Sequence, residues 1–235
     1  MRLEVNRVSL RDRRGVLRHP VRAAVVCDVH DGPYAHILPL LEGVDMILIP
    51  GDLTNRHDRN PPRLAGPFLR ACVSMAPTWY SIGNHERRMP DARSWREIMD
   101  ESGAHILDNR IEQIRGDLWI GGLSSQSPPI DGSVVSELSA KDGYRLLLCH
   151  HPEYFQPLIS AHAVDLTLAG HAHGGQWRPF GIPLFAPGQG IFPRLTSGLY
   201  FDDRLLVSRG TGSHGSIPRL WNPCELILLT IEVAS

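Results

Sequence analysis

The stretch VDLTLAGHAHGGQ, residues 164–176, shows how the chain is organised. It begins with a short apolar run suited to a buried strand, and at Gly170 it passes directly into His171, Ala172 and His173. Imidazole is the commonest metal ligand in proteins, and a neighbouring glycine lets the backbone turn tightly beside an ion. On its own this pattern fits a metal site and a polar loop equally well, so its interpretation depends on the rest of the chain.

The composition narrows the class of protein. The chain has 235 residues, with 24 basic against 25 acidic side chains and a formal net charge of −1. This length is typical of one α/β domain, and we expect a single domain over residues 1–235. Nucleic-acid-binding proteins that rely on bulk electrostatics usually have a basic excess, so no nucleic-acid partner is expected. A small phosphorylated substrate is compatible with this balance, because bound metal ions would add local positive charge.

The cysteines and the amino-terminal sequence indicate the cellular location of the protein. We expect buried free thiols rather than disulfides, because no CxxC pair occurs among Cys27, Cys72, Cys149 and Cys224. The first twenty residues contain no apolar segment of the kind found in a signal peptide or a membrane span. The expected location is therefore cytoplasmic, with at most peripheral contact to a membrane.

The pattern of an apolar run followed by polar residues recurs along the chain. Such runs are VRAAVVCDVH (21–30), DMILIPGD (45–52), TWYSIGNHE (78–86) and YRLLLCHHP (144–152). Helical stretches are predicted at about 34–41, 62–75, 91–102 and 133–140. Apolar strands alternating with helices are typical of parallel βαβ units, whose ligand site lies beyond the carboxyl ends of the strands. The sequence thus predicts an α/β fold with a site at the strand ends.

The chemistry-bearing side chains at these strand ends are Asp28, His30, Asp52, Asn84, His85, His150, His171 and His173. A parallel sheet would bring them within reach of each other. Imidazole nitrogen together with carboxylate oxygen suits a divalent borderline metal ion, which takes three or four protein ligands in catalytic zinc sites. Seven candidates remain once His85 is set aside, which is too many for one ion but suits two ions that share a carboxylate. Asp52 is the natural bridging ligand, because it stands alone at its strand end.

These motifs together resemble a known family. The segments DVH (28–30), GDLTN (51–55), GNHE (83–86), HHP (150–152) and GHAH (170–173) are similar in kind and order to those of calcineurin-like metallophosphoesterases. The resemblance covers about residues 22–175. GHAHGGQ (170–176) and VSRGTGS (207–213) further resemble a bacterial subgroup of small phosphodiesterase-like members.

The resemblance implies a four-layer α/β sandwich, in which two mixed β-sheets face each other and helices flank them. It implies two divalent metal ions (Mn, Fe, Zn or Co), with Asp52 as the bridging ligand. The first ion would be bound by Asp28, His30 and His173, and the second by Asn84, His150 and His171. His85 would be no ligand but a general acid or a stabiliser of the transition state.

The activity implied is hydrolysis of a phosphodiester or a pyrophosphate by a hydroxide that bridges the two ions. Some relatives in the subgroup hydrolyse the pyrophosphate of UDP-2,3-diacylglucosamine, so one alternative is such a pyrophosphatase acting at the membrane surface. A second alternative is a metal-binding scaffold of the same fold without turnover. The substrate is expected to be a small phosphorylated molecule, lipid- or nucleotide-linked. Asn55 and Ala172 depart from the family pattern, but neither is a ligand, so they bear on substrate preference only.

Four further residues are candidates for substrate contacts: Arg87, His151, Arg209 and His214. Arg87 and its neighbour Arg88 either bind substrate phosphate or lie in solvent on the way to the next helix. His151 either orients its neighbour or lines the cleft. The remaining histidines, among them His57, are expected at the surface or in packing.

The apolar segment, residues 177–195 (WRPFGIPLFAPGQGIFPRL), carries more large apolar side chains than a solvated loop needs. We expect these side chains to fill the core between the sheets. The alternative is that they form an acyl-chain groove or a patch that touches a membrane surface.

Overall fold

The computed structural model describes residues 2–56, 62–89, 92–126, 129–213 and 218–234, without the side chains of Ala92 and Ser94. Its strands are β1 (Leu3–Arg11), β2 (Val21–Val25), β3 (Met46–Ile49), β4 (Thr78–Tyr80), β5 (His105–Ile106), β6 (Arg110–Arg115), β7 (Leu118–Leu123), β8 (Tyr144–Cys149), β9 (Leu166–Ala169), β10 (Phe185–Ala186), β11 (Gly190–Ile191), β12 (Gly198–Tyr200), β13 (Leu205–Val207) and β14 (Cys224–Glu232). Its α-helices are α1 (Ala65–Met75), α2 (Asn84–Arg87), α3 (Ala92–Glu101) and α4 (Ser133–Ser139).

Two six-stranded sheets carry the fold. The first has the order β1-β14-β2-β3-β4-β5 and the second β12-β13-β9-β8-β7-β6. In the first sheet only the β14–β2 pair is antiparallel, and in the second only the two edge pairs are. The α/β fold with two mixed sheets is thus confirmed, whereas one parallel sheet carrying all the polar strand ends is wrong.

The strands are continuously apolar because three layers of buried apolar side chains lie between and outside the two sheets. Ala23 and Val25 of β2 face the second sheet, and Ala24 and Val26 face the helices. Both faces of each sheet are covered, since α1 and α3 pack on the first and α4 packs on the second. A strand buried on both faces needs apolar residues at successive positions rather than at alternate ones.

The helices begin and end close to the predicted positions, with one exception. The predicted helix at 34–41 is reduced to a single 3₁₀ turn, Leu38–Leu41. Pro39 lies within that stretch, and proline lacks the N–H that an α-helix would use. None of the helices in the described part of the chain is long and apolar enough to cross a membrane.

The prediction that the apolar segment fills the core is wrong. Phe180 is wholly exposed, Ile191 and Phe192 are 74% and 66% exposed, and Trp177, Ile182 and Phe185 are exposed as well. The space between the sheets is already filled by strand residues, so the segment lies outside them as loops and the β10–β11 hairpin. The four cysteines are buried and free, as expected.

Candidate metal centre

The five polar strand ends meet where the carboxyl ends of the two sheets come together. Asp28, Asp52 and Asn84 follow the adjacent strands β2, β3 and β4 of the first sheet. His150 follows β8 of the second sheet, and His171 and His173 follow the adjacent strand β9. The site therefore lies between the sheets, and each sheet supplies a part of it.

The backbone at these strand ends is unusual. Positive φ angles between 46° and 66° occur at five of the seven candidate ligands: Asp28, His30, Asp52, His171 and His173. Non-glycine residues adopt this left-handed region uncommonly, and they are held there where the surrounding structure imposes it. At these positions the left-handed backbone conformation turns the chain sharply at the end of the strand.

Among the described residues, four groups of side chains in this region have ligand atoms within 4.8 Å of one another, and two of these groups contain six of the seven candidate ligands. Asp28, His30 and His173 form the first group. In it, Asp28 Oδ1 lies 3.5 Å from His173 Nε2 and 3.7 Å from His30 Nε2. All three side chains are buried.

Asp52, His150 and His171 form the second group. Asp52 Oδ2 lies 3.0 Å from His150 Nε2, and His150 Nε2 lies 3.9 Å from Asp28 Oδ1 of the first group. The two groups are therefore adjacent, with the aspartates between the imidazoles. Asn84, at the start of α2, is also buried and lines the same cleft as Asp52.

Backbone carbonyls fix the orientation of two imidazoles. His30 Nδ1 lies 3.2 Å from the Thr54 carbonyl oxygen, and His150 Nδ1 lies 3.1 Å from that of Pro50. A carbonyl only accepts, so in each neutral ring Nδ1 carries the proton and Nε2 bears the lone pair. Such a partner behind the ring is typical of metal-ligating histidines.

His173 has a different partner. Arg219 donates from Nη2 to His173 Nδ1 at 2.9 Å, so the neutral ring carries its proton on Nε2. That nitrogen lies 3.1 Å from His30 Nε2. To bind an ion through Nε2 as a neutral imidazole, His173 must carry its proton on Nδ1 instead, which requires Arg219 to turn away from Nδ1.

His85 is oriented as a donor. The backbone N–H of Arg56 donates to His85 Nδ1 at 3.1 Å, so the neutral ring carries its proton on Nε2. His85 Nε2 lies 3.9 Å from Asp52 Oδ2, near enough that His30, Asp52 and His85 also form a candidate ligand group. In this tautomer the protonated Nε2 of His85 donates a hydrogen bond and does not ligate, and the same holds for His173 until its proton moves to Nδ1.

The backbone of the loops at residues 83–85 and 170–171 packs closely against Asp52 and Asp28. Backbone N–H groups of His171 and His85 donate to Asp28 and to Asp52, respectively. A Cβ at Gly170 would lie 2.4 Å from Asp28 Oδ2, and one at Gly83 would lie 2.1 Å from Asp52 Oδ1. Only glycine permits this approach at either position.

Glu86 holds the Asp52 loop to the start of α2. Its carboxylate accepts hydrogen bonds from the backbone N–H groups of Asp52, Thr54 and Gly83, and from the Thr54 hydroxyl. Four donors converge on one buried carboxylate, which suits its ionised, acceptor-only form. Glu86 is therefore a positioning residue for Asp52, which the sequence did not single out.

The charges of the site depend on one another. Burial opposes ionisation of Asp28 and Asp52, but the neighbouring imidazoles hold the pKa of both carboxyls below the usual range. Burial also lowers the pKa of His171 and of His173 well below the usual value. Burial would likewise lower the pKa of His150, but the Asp52 carboxylate outweighs it and raises that pKa to about 9.

The residues fit a pair of divalent cations. Asn84 Oδ1 is buried and has no hydrogen-bond partner within the described chain, and His150 Nε2 faces only the Asp52 carboxylate, at 3.0 Å. Buried polar atoms in proteins are nearly always paired, and an orphan is often explained by an ion or a water. Nitrogen and oxygen donors in this mixture are those that manganese, iron, zinc and cobalt accept in proteins.

A cleft of about 280 Å³ opens onto this centre. Its lining includes Asp52, Asn84, His85, His171 and His173 together with His151, Glu153, Tyr154, Arg56 and Arg88. His151 lies in the wall, where its Nδ1 is 3.1 Å from Glu153 Oε1. The cleft thus combines the candidate ligands with two cationic side chains.

The structure does not bring Arg87 or Arg209 into this cleft. Arg87 donates to the Ser125 carbonyl and to Asp108, and Arg209 contacts Glu4 and Glu225. His214 and His57 lie outside the described residues.

Arg88 and Arg56 are the cleft cations. Arg88 directly follows the short helix α2, whereas the substrate candidate chosen from the sequence was its neighbour Arg87. Arg56 and Arg219 had no signal in the sequence, because their positions depend on loop conformation and on distant parts of the chain.

Comparison with known proteins gives a consistent result. The family model described as calcineurin-like phosphoesterase matches residues 21–175. The chain is 32% identical over 184 residues to the uncharacterized metallophosphoesterase YkoQ of Bacillus subtilis, covering 73% of this chain and 67% of that protein. It is 27% identical over 224 residues to phosphodiesterase YaeI of Escherichia coli, covering 83% and 76%.

Other relatives are longer. The chain is 27% identical to the putative metallophosphoesterase F40B5.2 of Caenorhabditis elegans, and the match covers 90% of this chain. It spans 48% of that protein.

The raised pKa of His150 leads to a prediction for the metal-free protein. Because the folded pKa of about 9 exceeds the ordinary 6.5, the protonated ring stabilises the fold fully below pH 6.5, and this stabilisation is lost as the pH rises through 9. We expect the free energy of unfolding in urea to fall by on the order of a few kcal/mol across this range. The matched variant His150→Gln should lack that decrease. The same decrease in both proteins would contradict the ion pair with Asp52.

Proposed function

Because the chain belongs to the calcineurin-like phosphoesterase family, we propose that it is a dinuclear metal-dependent phosphoesterase that cleaves a phosphodiester or a pyrophosphate. The observation that carries the proposal is the convergence of seven buried candidate ligands from both sheets, one of which, Asn84, has its buried Oδ1 without a hydrogen-bond partner in the described chain. Hydrolysis of a phosphoric ester bond is the activity of the family.

The two ligand groups give each cation its residues. Asp28, His30 and His173 would hold the first, and Asn84, His150 and His171 the second. Asp52 lies beside both imidazole groups and would bridge them. When bound, the two ions would supply a hydroxide nucleophile at neutral pH and neutralise charge on the phosphoryl oxygens.

His85 would act on the substrate rather than on a cation. Its Nε2 proton faces Asp52 at the centre of the cleft, and the N–H of Arg56 holds the ring from behind. From there Nε2 can donate to a phosphoryl oxygen or transfer its proton to the leaving oxygen. Such acid catalysis typically contributes about 10²–10⁴-fold to the rate.

The charge of the loaded site favours an anion. Two divalent cations with the two aspartates would leave about +2 before the nucleophile binds, and in the cleft lining the two arginines, Arg56 and Arg88, outnumber the one other carboxylate, Glu153. The site would therefore attract phosphate although the whole chain has a net charge of −1. We expect a small phosphorylated substrate, lipid- or nucleotide-linked, and no nucleic acid.

A scaffold without turnover is the weaker hypothesis. Such a protein has no need to keep the donor orientation of His85, yet every candidate ligand and His85 are in place in this chain. The name phosphodiesterase, given to the YaeI relative, supports a diester over a monoester. A cytoplasmic location stays a prediction.

The function is tested by metal removal and by substrate preference. The chelator-treated protein should not hydrolyse bis-p-nitrophenyl phosphate, and added Mn²⁺ or Zn²⁺ should restore turnover, because the ions supply the nucleophile. Turnover of the diester should exceed that of p-nitrophenyl phosphate. Turnover independent of metal, or none with any divalent metal, would contradict the proposal.

The role of His85 is tested separately. His85→Ala should keep the metal content of the wild type, measured by elemental analysis, and lose about 10²–10⁴-fold in turnover of the diester. His36→Ala is the matched control, because His36 is exposed and lines a separate pocket with Val29 and Cys224. Loss of metal in His85→Ala would instead identify this ring as a ligand.

A further inference from the structure

The apolar segment is one small folded unit beside the catalytic cleft. Phe185 of β10 lies directly opposite Ile191 of β11, so the two exposed side chains share a face. The N–H of Phe192 donates to the Leu184 carbonyl, and the N–H of Leu184 donates to the Trp177 carbonyl. These contacts bring Phe185, Ile191 and Phe192 together, and Phe180 and Ile182 lie in the turn between Trp177 and Leu184.

The backbone presents two phenylalanines outward. Phe180 and Phe192 have φ angles of 54° and 53°, in the left-handed region that bulky residues rarely adopt. Phe180 has no contact that excludes water, since its side chain is wholly exposed. Packing within this chain explains neither the exposure nor the backbone conformation.

The charged side chains of the segment itself have one sign, and the nearest carboxylate is that of Glu153 in the cleft wall. Residues 166–201 contain no aspartate or glutamate, although the chain has 25 acidic residues in 235. Two arginines lie within the segment. Arg178 is held by Gly174, Thr196 and Ser197, and Arg194 is exposed. A surface that joins large apolar side chains with basic and no acidic ones matches the composition of a membrane-surface segment.

The segment is fixed to the site. Pro187 and Gly188 line the catalytic cleft, and a Cβ at Gly188 would lie 2.1 Å from Glu153 Oε1 in the cleft wall. A second contact lies close to the metal centre. Gly175 follows His173 by two residues, and a Cβ at Gly175 would lie 2.3 Å from the Pro183 side chain. Whatever binds the segment is thereby brought to the mouth of the cleft.

We propose that the apolar segment docks on an anionic lipid surface, and that the phosphoester entering the cleft belongs to an amphiphile at that surface. The second clause rests on the proposed function. Phe180, Ile182, Phe185, Ile191 and Phe192 enter the interfacial layer, and Arg194 contacts the lipid phosphates. Arg88 is exposed at the cleft and is positively charged like Arg194, so it too can face an anionic lipid surface.

Charge also argues against a second copy of the chain as the occupant. A two-fold contact through this segment would place the segment's own arginines near each other, and residues 166–201 supply no carboxylate to pair with them. An anionic lipid surface supplies negative charge across the whole face.

The test measures sedimentation of the protein with vesicles of phosphatidylcholine, with and without phosphatidylglycerol. The wild type should bind the anionic vesicles, and more weakly the neutral ones. The double variant Phe180→Ser with Ile191→Ser should bind at least about tenfold more weakly, because it loses two exposed apolar anchors. Met75→Ser is the matched control, since Met75 is exposed at the end of α1. It should bind like the wild type.

Three results would overturn the docking proposal: no binding by the wild type, equal binding by the double variant, or a solution dimer that the double variant abolishes. Thermal unfolding of the double variant verifies its fold, which both exposed positions should leave intact.

Turnover separates this proposal from the proposed function. The double variant should hydrolyse soluble bis-p-nitrophenyl phosphate as the wild type does, and lose turnover of a phosphoester lipid in anionic vesicles. Equal turnover of the vesicle substrate would contradict the substrate clause. Vesicle binding needs no metal, so binding by a protein that hydrolyses no phosphoester would leave the docking surface standing and overturn the function alone.

Discussion

The structure depends on two carboxylates that are buried together. Asp28 and Asp52 are 0% and 1% exposed, and an isolated ionised carboxylate is costly to remove from water. The fold compensates with imidazoles and backbone N–H groups drawn from both sheets, so neither sheet could form this centre alone. The left-handed backbone and the close glycines follow from the same constraint, because each brings a donor or a ring up to an aspartate.

Much of the centre was predictable from the sequence, because each candidate ligand directly follows an apolar run. A strand end is a local feature, and so Asp28 or His150 can be assigned without tertiary information. The division of the strands between two sheets could not be predicted from local sequence. It depends on long-range pairing such as that of β14 with β2, which residue patterns do not show. The resemblance to the family, rather than periodicity, supplied the two-sheet fold.

Other features needed the structure for different physical reasons. The apolar segment was assigned to the core because apolar side chains prefer burial. The composition of a segment does not show whether the space between the sheets is already filled by other residues. The partners that set the tautomers of His85 and His173, the N–H of Arg56 and the guanidinium of Arg219, come from loops without periodicity. These partners separate donor from ligand, so the chemistry of the rings is less predictable than their positions.

The central claim is that the seven side chains hold two cations. Anomalous diffraction from crystals grown with Mn²⁺ tests it most directly. The account predicts two peaks about 3.5–4 Å apart, with Asp52 in contact with both. A single peak, or none among these imidazoles with Mn²⁺ bound elsewhere, would contradict it.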